Sequence, residues 1–363
     1  LRRSLTVRPR VLQWQMHDQG KNLSARNRKR VESILPPTKP KRHKAKRLAI
    51  FNHKGGVGKT TLTVNVAKAL ASLDKRVLLV DSDPQCNLTS YLIDPSVVDD
   101  MLDSSETDEG ATLWSALKPV ADGMGDIKLI KPKGIGNIHL LPGDILLSKF
   151  EQDLHASWGD CFHRKVRGYR GTTALSQLVN HIATEKSIDF VFYDSGPNIG
   201  PLNRVILLDC DAFIVPAACD SFSIRALKTL GQTLLDWITD WKTVLALAPD
   251  DVYLLPGKPT LIGYLPQRFR IYGGTVSSDY SKYLPRIERH VSSDIGAVLR
   301  EIDPDLAPIP LQSRLGLIKD FGRLAAAAQS EGVAIWEVGT PQERSATRQA
   351  FRSVAEKIIE RTR

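Results

Sequence analysis

The chain has 363 residues, 42% hydrophobic and 25% charged, which suits one large or two small globular domains. No apolar run approaches the roughly 20 residues of a membrane helix, and no secretory pattern opens the sequence. Cys86, Cys161, Cys210 and Cys219 are irregularly spaced, which excludes a disulfide framework or a zinc motif and predicts a reduced, cytoplasmic protein.

Charge divides the chain near residue 47. Residues 1–47 hold 15 Lys/Arg against Asp18 and Glu32, a net of +13, whereas the rest carries 35 basic and 38 acidic groups. A basic arm of this kind suits a polyanion, because each neutralised phosphate releases counterions. Within it Ser24 to Leu35 predicts a short basic helix, ended by Pro36-Pro37 and followed by an extended linker. We therefore divide the chain into an extension and linker, 1–47, and a main domain, 48–363.

From Arg47 onward strands and helices alternate. Strands are predicted at Leu48–Asn52, Val77–Asp81, Ile138–Leu141, Phe190–Asp194, Ala212–Pro216, Leu261–Leu265 and Val333–Val338. Helices are predicted at Thr60–Leu73, Thr173–Lys186, Ile224–Trp241, Lys282–Asp303 and Pro341–Arg361. Apolar strands alternating with helices predict an α/β fold: a mostly parallel sheet covered by helices on both faces, with ligands beyond the carboxyl ends of the strands.

The first strand runs into Asn52-His53-Lys54-Gly55-Gly56-Val57-Gly58-Lys59-Thr60-Thr61, and a helical pattern follows. Strand, glycine-rich loop and helix form the context of a phosphate-binding loop. Glycines let backbone N–H groups close around phosphate oxygens, and the helix N-terminus adds partial positive charge. Gly55 to Thr61 would form the cradle, with Lys59 neutralising the β/γ-phosphates and the Thr60 hydroxyl ligating Mg²⁺. Nucleotide binding follows from that arrangement.

A second lysine, Lys54, has no evident task toward the same nucleotide. Lys-Gly-Gly-x-Gly-Lys-Thr-Thr resembles the deviant Walker A box of the ParA/MinD family, a branch of the P-loop NTPases. That resemblance implies that Lys54 reaches across a dimer interface to the partner's ATP phosphates, as an arginine finger does.

The second strand ends in Asp81-Ser82-Asp83-Pro84-Gln85-Cys86, similar to the family's Asp-x-Asp-Pro-Gln box with cysteine where glycine is usual. The match implies that Asp83 orients or activates water and that Asp81 supports the metal and the loop. Asp99 to Glu109 is acidic and reads as a solvated, mobile loop. Trp158 to Gly171 mixes Arg164, Lys165, Arg167 and Arg170 with Trp158, Phe162 and Tyr169, a mixture compatible with nucleic acid but, in so short a loop, read as ordinary surface. His155, Cys161 and His163 there lack the ligand number and spacing of a metal site.

Phe190 to Pro197 is an apolar strand ending in aspartate, the Walker B arrangement, whose Asp194 would reach Mg²⁺ opposite Thr60. The family normally shows Asp-Thr-Pro-Pro; here Asp194-Ser195-Gly196-Pro197 keeps the hydroxyl, but Gly196 predicts a looser loop, with consequences for turnover and switching rather than binding. Gln267, Pro310 and Gln312 align by pattern with residues facing the adenine. Arg268, Arg270 and Arg314 fall where relatives place DNA-contacting arginines.

The resemblance spans roughly residues 47 to 360. It implies a slow, partner-stimulated ATPase using ATP and Mg²⁺, homodimeric with ATP, binding DNA non-specifically, and acting with a ParB-like partner to position plasmid, chromosome or other cargo in the nucleoid. A MinD-like membrane switch needs an exposed amphipathic tail; Phe351, Val354, Ile358 and Ile359 could supply one face, but the many arginines of that helix argue against it. An ATP-clamp subunit of a DNA-transaction complex is the other alternative. An iron–sulfur carrier would want a Cys-x-x-Cys pair, which is absent.

Overall fold

The computed structural model describes residues 42–267, 271–272, 275–276, 278–308 and 314–363. In chain order its first part contains β1 (Lys46–Ile50), α1 (Lys59–Ala71), β2 (Val77–Asp81), α2 (Asn87–Leu92), α3 (Pro95–Asp103), α4 (Leu113–Ala121), β3 (Lys133–Ile135) and β4 (Ile138–Leu141). Next come α5 (Leu147–Phe162), α6 (Val166–Glu185), β5 (Phe190–Asp194), α7 (Pro201–Asp209), β6 (Ala212–Ala218), α8 (Ser221–Leu247) and β7 (Thr260–Gln267). A small hairpin of β8 (Ile271–Tyr272) and β9 (Thr275–Val276) precedes α9 (Ser278–His290), α10 (Ala297–Ile302), α11 (Arg323–Ser330) and α12 (Pro341–Arg361).

The main sheet has seven strands in the order β3-β4-β2-β5-β1-β6-β7. All neighbours are parallel except β3, which runs antiparallel to β4. Side chains alternate between the two faces with the period of two that a pleated strand imposes. Leu48 and Ile50, Val77 and Leu79, Phe190 and Phe192, and Ala212 and Ile214 enter one core, shared with α1 and α12. Ala49, Leu78 and Val80, Val191 and Tyr193, and Phe213 and Val215 enter the other, shared with α4 to α8. Burial on both faces explains why these strands read as continuous apolar runs.

Three sequence expectations change. Val333–Val338 is not a strand: Ile335–Glu337 form a 3-10 turn, bounded by Gly332 and Gly339 at φ 67° and 87°. A short apolar run fits a buried turn as well as a strand, and this one packs on α1, where Ile335 N–H donates to Asn65 Oδ1 at 2.8 Å. The acidic stretch is not a mobile loop throughout, since its first residues belong to α3, capped by the Asp94 carboxylate on Ser96 N–H. Trp158 to Gly171 is likewise a corner between α5 and α6 rather than a loop, although Arg164, Lys165, Arg167 and Arg170 are exposed as expected of surface. Trp158 stacks on Trp241 with ring centroids 5.5 Å apart, and Tyr169 is buried, so its aromatic residues belong largely to the core. Gly168 and Gly171 permit the close crossing: a Cβ on Gly171 would fall 2.2 Å from Ser157 Oγ.

The span predicted as Lys282–Asp303 is helical but interrupted by a π segment, Val291–Gly296. No cluster of three or more His, Cys, Asp or Glu side chains able to hold a metal occurs among the described residues. Nor is any described helix long and apolar enough to cross a membrane.

Candidate nucleotide site

The three motifs lie at the carboxyl ends of β1, β5 and β2, which are neighbours in the sheet. Asp81 and Asp194 pair in register across β2 and β5. Parallel pairing therefore brings the phosphate loop and both acidic motifs to one crevice edge, as expected of an open α/β sheet.

After β1, Asn52 fixes the start of the loop: its Nδ2 donates to Pro216 O at 2.8 Å, and its Oδ1 accepts from Lys54 N–H at 3.0 Å. Gly56 and Gly58 have φ of 68° and 78°, a left-handed backbone that favours glycine. Gly58 is the N-cap of α1 and provides no side-chain cap, so the first N–H groups of that helix face the cleft. Gly56, Gly58, Lys59, Thr60 and Thr61 line a cleft of about 270 Å³ together with Asp83, Ser195 and Pro197.

Lys59 is buried with its Nζ 3.4 Å from Lys54 O. Burial lowers its pKa, while Asp194 and Asp83 act in the opposite direction. The Thr60 hydroxyl donates to Asp194 Oδ2 at 2.7 Å. Asp194 Oδ1 and Ser195 Oγ are buried without a hydrogen-bond partner. Burial, followed by the nearby Asp81 carboxylate, pushes the Asp194 pKa up to about 8. An unpaired carboxylate oxygen beside two hydroxyls and a second carboxylate is a donor set of the kind Mg²⁺ takes, so these residues fit that ion.

The two aspartates of β2 and its following turn separate. Asp83 lines the cleft and accepts from Gln85 N–H at 3.0 Å. Asp81 is fully buried beneath it: Oδ2 accepts from Thr89 N–H at 2.7 Å and the Thr89 hydroxyl at 2.6 Å, and Oδ1 accepts from Asp83 N–H at 3.3 Å. Its geometry is that of a loop support, outside the lining of the cleft.

Lys54 points elsewhere. Its Nζ donates to both carboxylate oxygens of Asp220 at 2.6 Å and to Ser223 Oγ at 2.9 Å. Asp220 also caps α8, accepting from Ser223 N–H at 2.7 Å. The hydrogen bonds from Lys54 and Ser223 outweigh burial and hold its carboxyl below the usual range. An Asp before a helix reads as an ordinary N-cap, so the sequence gives no sign of its pairing with Lys54.

A second hollow of about 180 Å³ adjoins the first across Gly56, Gly58 and Thr61. Gln267, at the end of β7, lines it with Phe321 and Phe351. A Cβ on Gly58 would lie 3.3 Å from Gln267 Oε1, so this polar side chain sits against the loop itself. Pro310, Gln312, Arg268 and Arg270 lie outside the described residues. Arg314 is half-buried, donates to the Tyr280 hydroxyl at 3.1 Å and stands 3.9 Å from Glu288.

The family described as an AAA domain matches residues 45–246. Bacillus subtilis sporulation initiation inhibitor protein Soj is 31% identical over 193 residues, covering 52% of this chain and 64% of that protein. Caulobacter vibrioides chromosome partitioning protein ParA is 31% identical over 190 residues, covering 52% of this chain and 61% of that protein. The chain belongs to the ParA/MinD superfamily, as a ParA/Soj-type member. The matches thus span less than two thirds of the length of these curated relatives. A solved protein from Corynebacterium diphtheriae superposes with a TM-score of 0.67 at 25% identity, covering 87% of this chain and 98% of that one. The pNOB8 ParA structure has the same fold, with a TM-score of 0.60 at 19% identity and coverage of 87% and 98%.

Proposed function

We propose that the chain is an ATP-dependent dimer switch. It binds Mg²⁺ and ATP, pairs with a second copy across the nucleotide, and in that state binds DNA without sequence preference. Slow hydrolysis, stimulated by a ParB-like partner, releases it, so that plasmid, chromosome or other cargo is positioned. The ATPase domain follows the basic extension and includes the whole of β1, with Arg47 buried inside it rather than in the extension.

The observation that carries this reading is the divergence of two lysines on one loop. Lys59 lies in the cleft near Asp83 and Asp194, whereas Lys54 Nζ is turned to Asp220 at 2.6 Å. A single nucleotide engages the first and leaves the second available to a neighbouring copy's phosphates. The backbone of Gly55 to Gly58 and the first turn of α1 hold the phosphates. Thr60 and Asp194 hold Mg²⁺, which neutralises phosphate charge when bound. Asp83 orients the attacking water, and Gln267 faces the base, with Pro310 and Gln312 completing that side.

DNA contact is given to Arg268, Arg270 and the basic extension, because Arg314 is drawn inward by Tyr280 and Glu288. The membrane alternative has less support: Phe351, Val354 and Ile358 are fully buried, so they offer no free apolar face.

The test is DNA binding at moderate salt with ATP, with ADP and without nucleotide, for the wild type and Lys54→Ala. ATP-dependent binding lost in the variant supports the switch. Binding independent of nucleotide assigns the affinity to the basic extension, and no binding in any state overturns the DNA reading.

A further inference from the structure

In the loop between β5 and α7, Ser195 and Pro197 line the cleft beside Asp83. A Cβ on Gly196 would lie 3.3 Å from Asp83 Oδ1, so the path of this loop limits where that carboxylate can sit. Pro197, Asn198 and Ile199 are exposed. With glycine at 196, backbone freedom must be restrained from outside the loop.

Asn203, in the first turn of α7 and 2% exposed, supplies that restraint. Its Nδ2 donates to Gly196 O at 2.9 Å, Asn198 O at 3.0 Å and Asn198 Oδ1 at 2.7 Å. A carboxamide has two N–H donors, so these acceptors share them. Asn198 Oδ1 also accepts from Gly200 N–H at 3.0 Å, closing the loop on itself. The Glu151 carboxylate of α5 lies against Gly200, the N-cap of α7. It packs so close that a Cβ on Gly200 would fall 1.9 Å from Glu151 Oε1. The helix end is thus anchored, and Asn203 transmits that anchorage to the loop.

We propose that Asn203 is the positioning residue of the hydrolytic loop: its buried carboxamide ties Gly196 and Asn198 to α7 and thereby sets the place of the Asp83 carboxylate. The inference rests on the ATPase reading above and deepens it. It also answers the looseness that Gly196 predicts. A proline ring at 196 would stiffen the backbone covalently, whereas here hydrogen bonds from a helix do so. The contacts run to backbone carbonyls and need donors. Leucine at 203 preserves shape without donors, and aspartate would oppose an acceptor to acceptors.

The experiment compares wild type, Asn203→Leu and Asn203→Leu/Gly196→Pro by hydrogen–deuterium exchange without nucleotide, by binding of a fluorescent ATP analogue, and by steady-state ATPase kinetics. In Asn203→Leu, amide exchange should rise in residues 195–203 alone. ATP-analogue affinity and KM should hold, while kcat falls roughly tenfold or more, the scale of a small misplacement of a catalytic group. The added Gly196→Pro should restore loop protection. Loop exchange equal to wild type overturns the proposal, and so does exchange that rises across the whole chain with kcat and KM shifting together. Should Asn203→Leu fail to fold, Asn203→Ser, with a single donor on a shorter arm, is read by the same criteria. A wild type that binds ATP without hydrolysing it sinks the ATPase reading, while the exchange data still decide whether Asn203 positions the loop.

Discussion

Lys54 and Asp220, 166 residues apart in sequence, form a chelated pair in which Nζ lies 2.6 Å from each carboxylate oxygen. The pair is partly open to solvent, with side-chain exposures of 20% and 37%. An exposed pair of this kind is worth at most about 1 kcal/mol. It therefore parks the lysine without locking it. If Lys54 serves a neighbouring copy's nucleotide, breaking this pair is part of the cost of dimerisation.

Asp220→Asn keeps the α8 cap and removes the charge. Two such pairs break in a symmetric dimer, so the variant's ATP-dependent dimer should form up to roughly thirtyfold more readily than the wild type. Analytical ultracentrifugation across a concentration series with ATP measures this. Weaker dimerisation in Asp220→Asn would instead mean that Asp220 itself serves the dimer.

Asp194 makes a different case. Its Oδ1 has no partner, and Asp81 and Asp83 add negative charge around it. In metal-free protein Asp194→Asn should be neutral or stabilising, since burial already disfavours the ionised carboxylate there and the amide carries no charge to desolvate. With ATP at about 100 times its Kd, ligand stabilises the wild type by about 2.7 kcal/mol. That gain should depend strongly on Mg²⁺ in the wild type and barely in Asp194→Asn. Thermal melts with ATP in EDTA and in Mg²⁺ read the difference directly; an equal Mg²⁺ dependence in both proteins would remove Asp194 from the metal site.

The sequence was most legible where burial is two-sided. Val77–Asp81, Ile138–Leu141 and Phe190–Asp194 have their predicted bounds, because each is a short apolar run bounded by polar, glycine or proline residues. The motifs were legible for the same reason, lying where apolar runs stop. Aromatic and basic mixing around Trp158 to Gly171 was less informative, since composition does not reveal which side chains face inward on a helix. Val333–Val338 has the composition of a strand, but its flanking glycines turn it beneath α1. Asp220 and Asn203 escaped notice for a simpler physical reason. An aspartate at a cap and an asparagine in a first turn are locally ordinary, and their partners come from other parts of the fold.

At the amino ends of the strands, Arg47 is fully buried and donates through Nη1 to both oxygens of Asp209, at 2.7 Å and 2.6 Å. Ser176 Oγ and the Tyr193 hydroxyl donate to the same carboxylate. Losing Arg47 leaves this buried carboxylate, among the described residues, only the more distant Arg42 guanidinium, 3.8 Å away, as a cation, against a full cost of about 3–5 kcal/mol for stranding one partner of a buried pair. Arg47→Met should show that loss as a lower urea midpoint, and Arg47→Met/Asp209→Leu should recover much of it. ATP affinity of the folded fraction should not change, because the cleft is at the opposite ends of the strands.

His43 tests the same end of the sheet through pH. Its Nδ1 accepts from Ala45 N–H at 3.1 Å, an arrangement that requires the neutral ring with its proton on Nε2. Burial lowers its pKa below the ordinary 6.5, and the Arg47 cation lowers it further. Below that ordinary value the unfolded chain takes up a proton that the folded one resists. The contribution to stability is therefore fully present above about pH 7, and is lost as pH falls through 6.5 toward the folded pKa. His43→Asn keeps an acceptor close to Nδ1 and cannot titrate. Between pH 7 and 5 the wild type should consequently lose more stability than His43→Asn, and their difference should level off above pH 7. Taking that difference cancels the other titrating groups, so a flat difference across the range would mean that His43 is protonated as readily in the folded protein as in the unfolded chain.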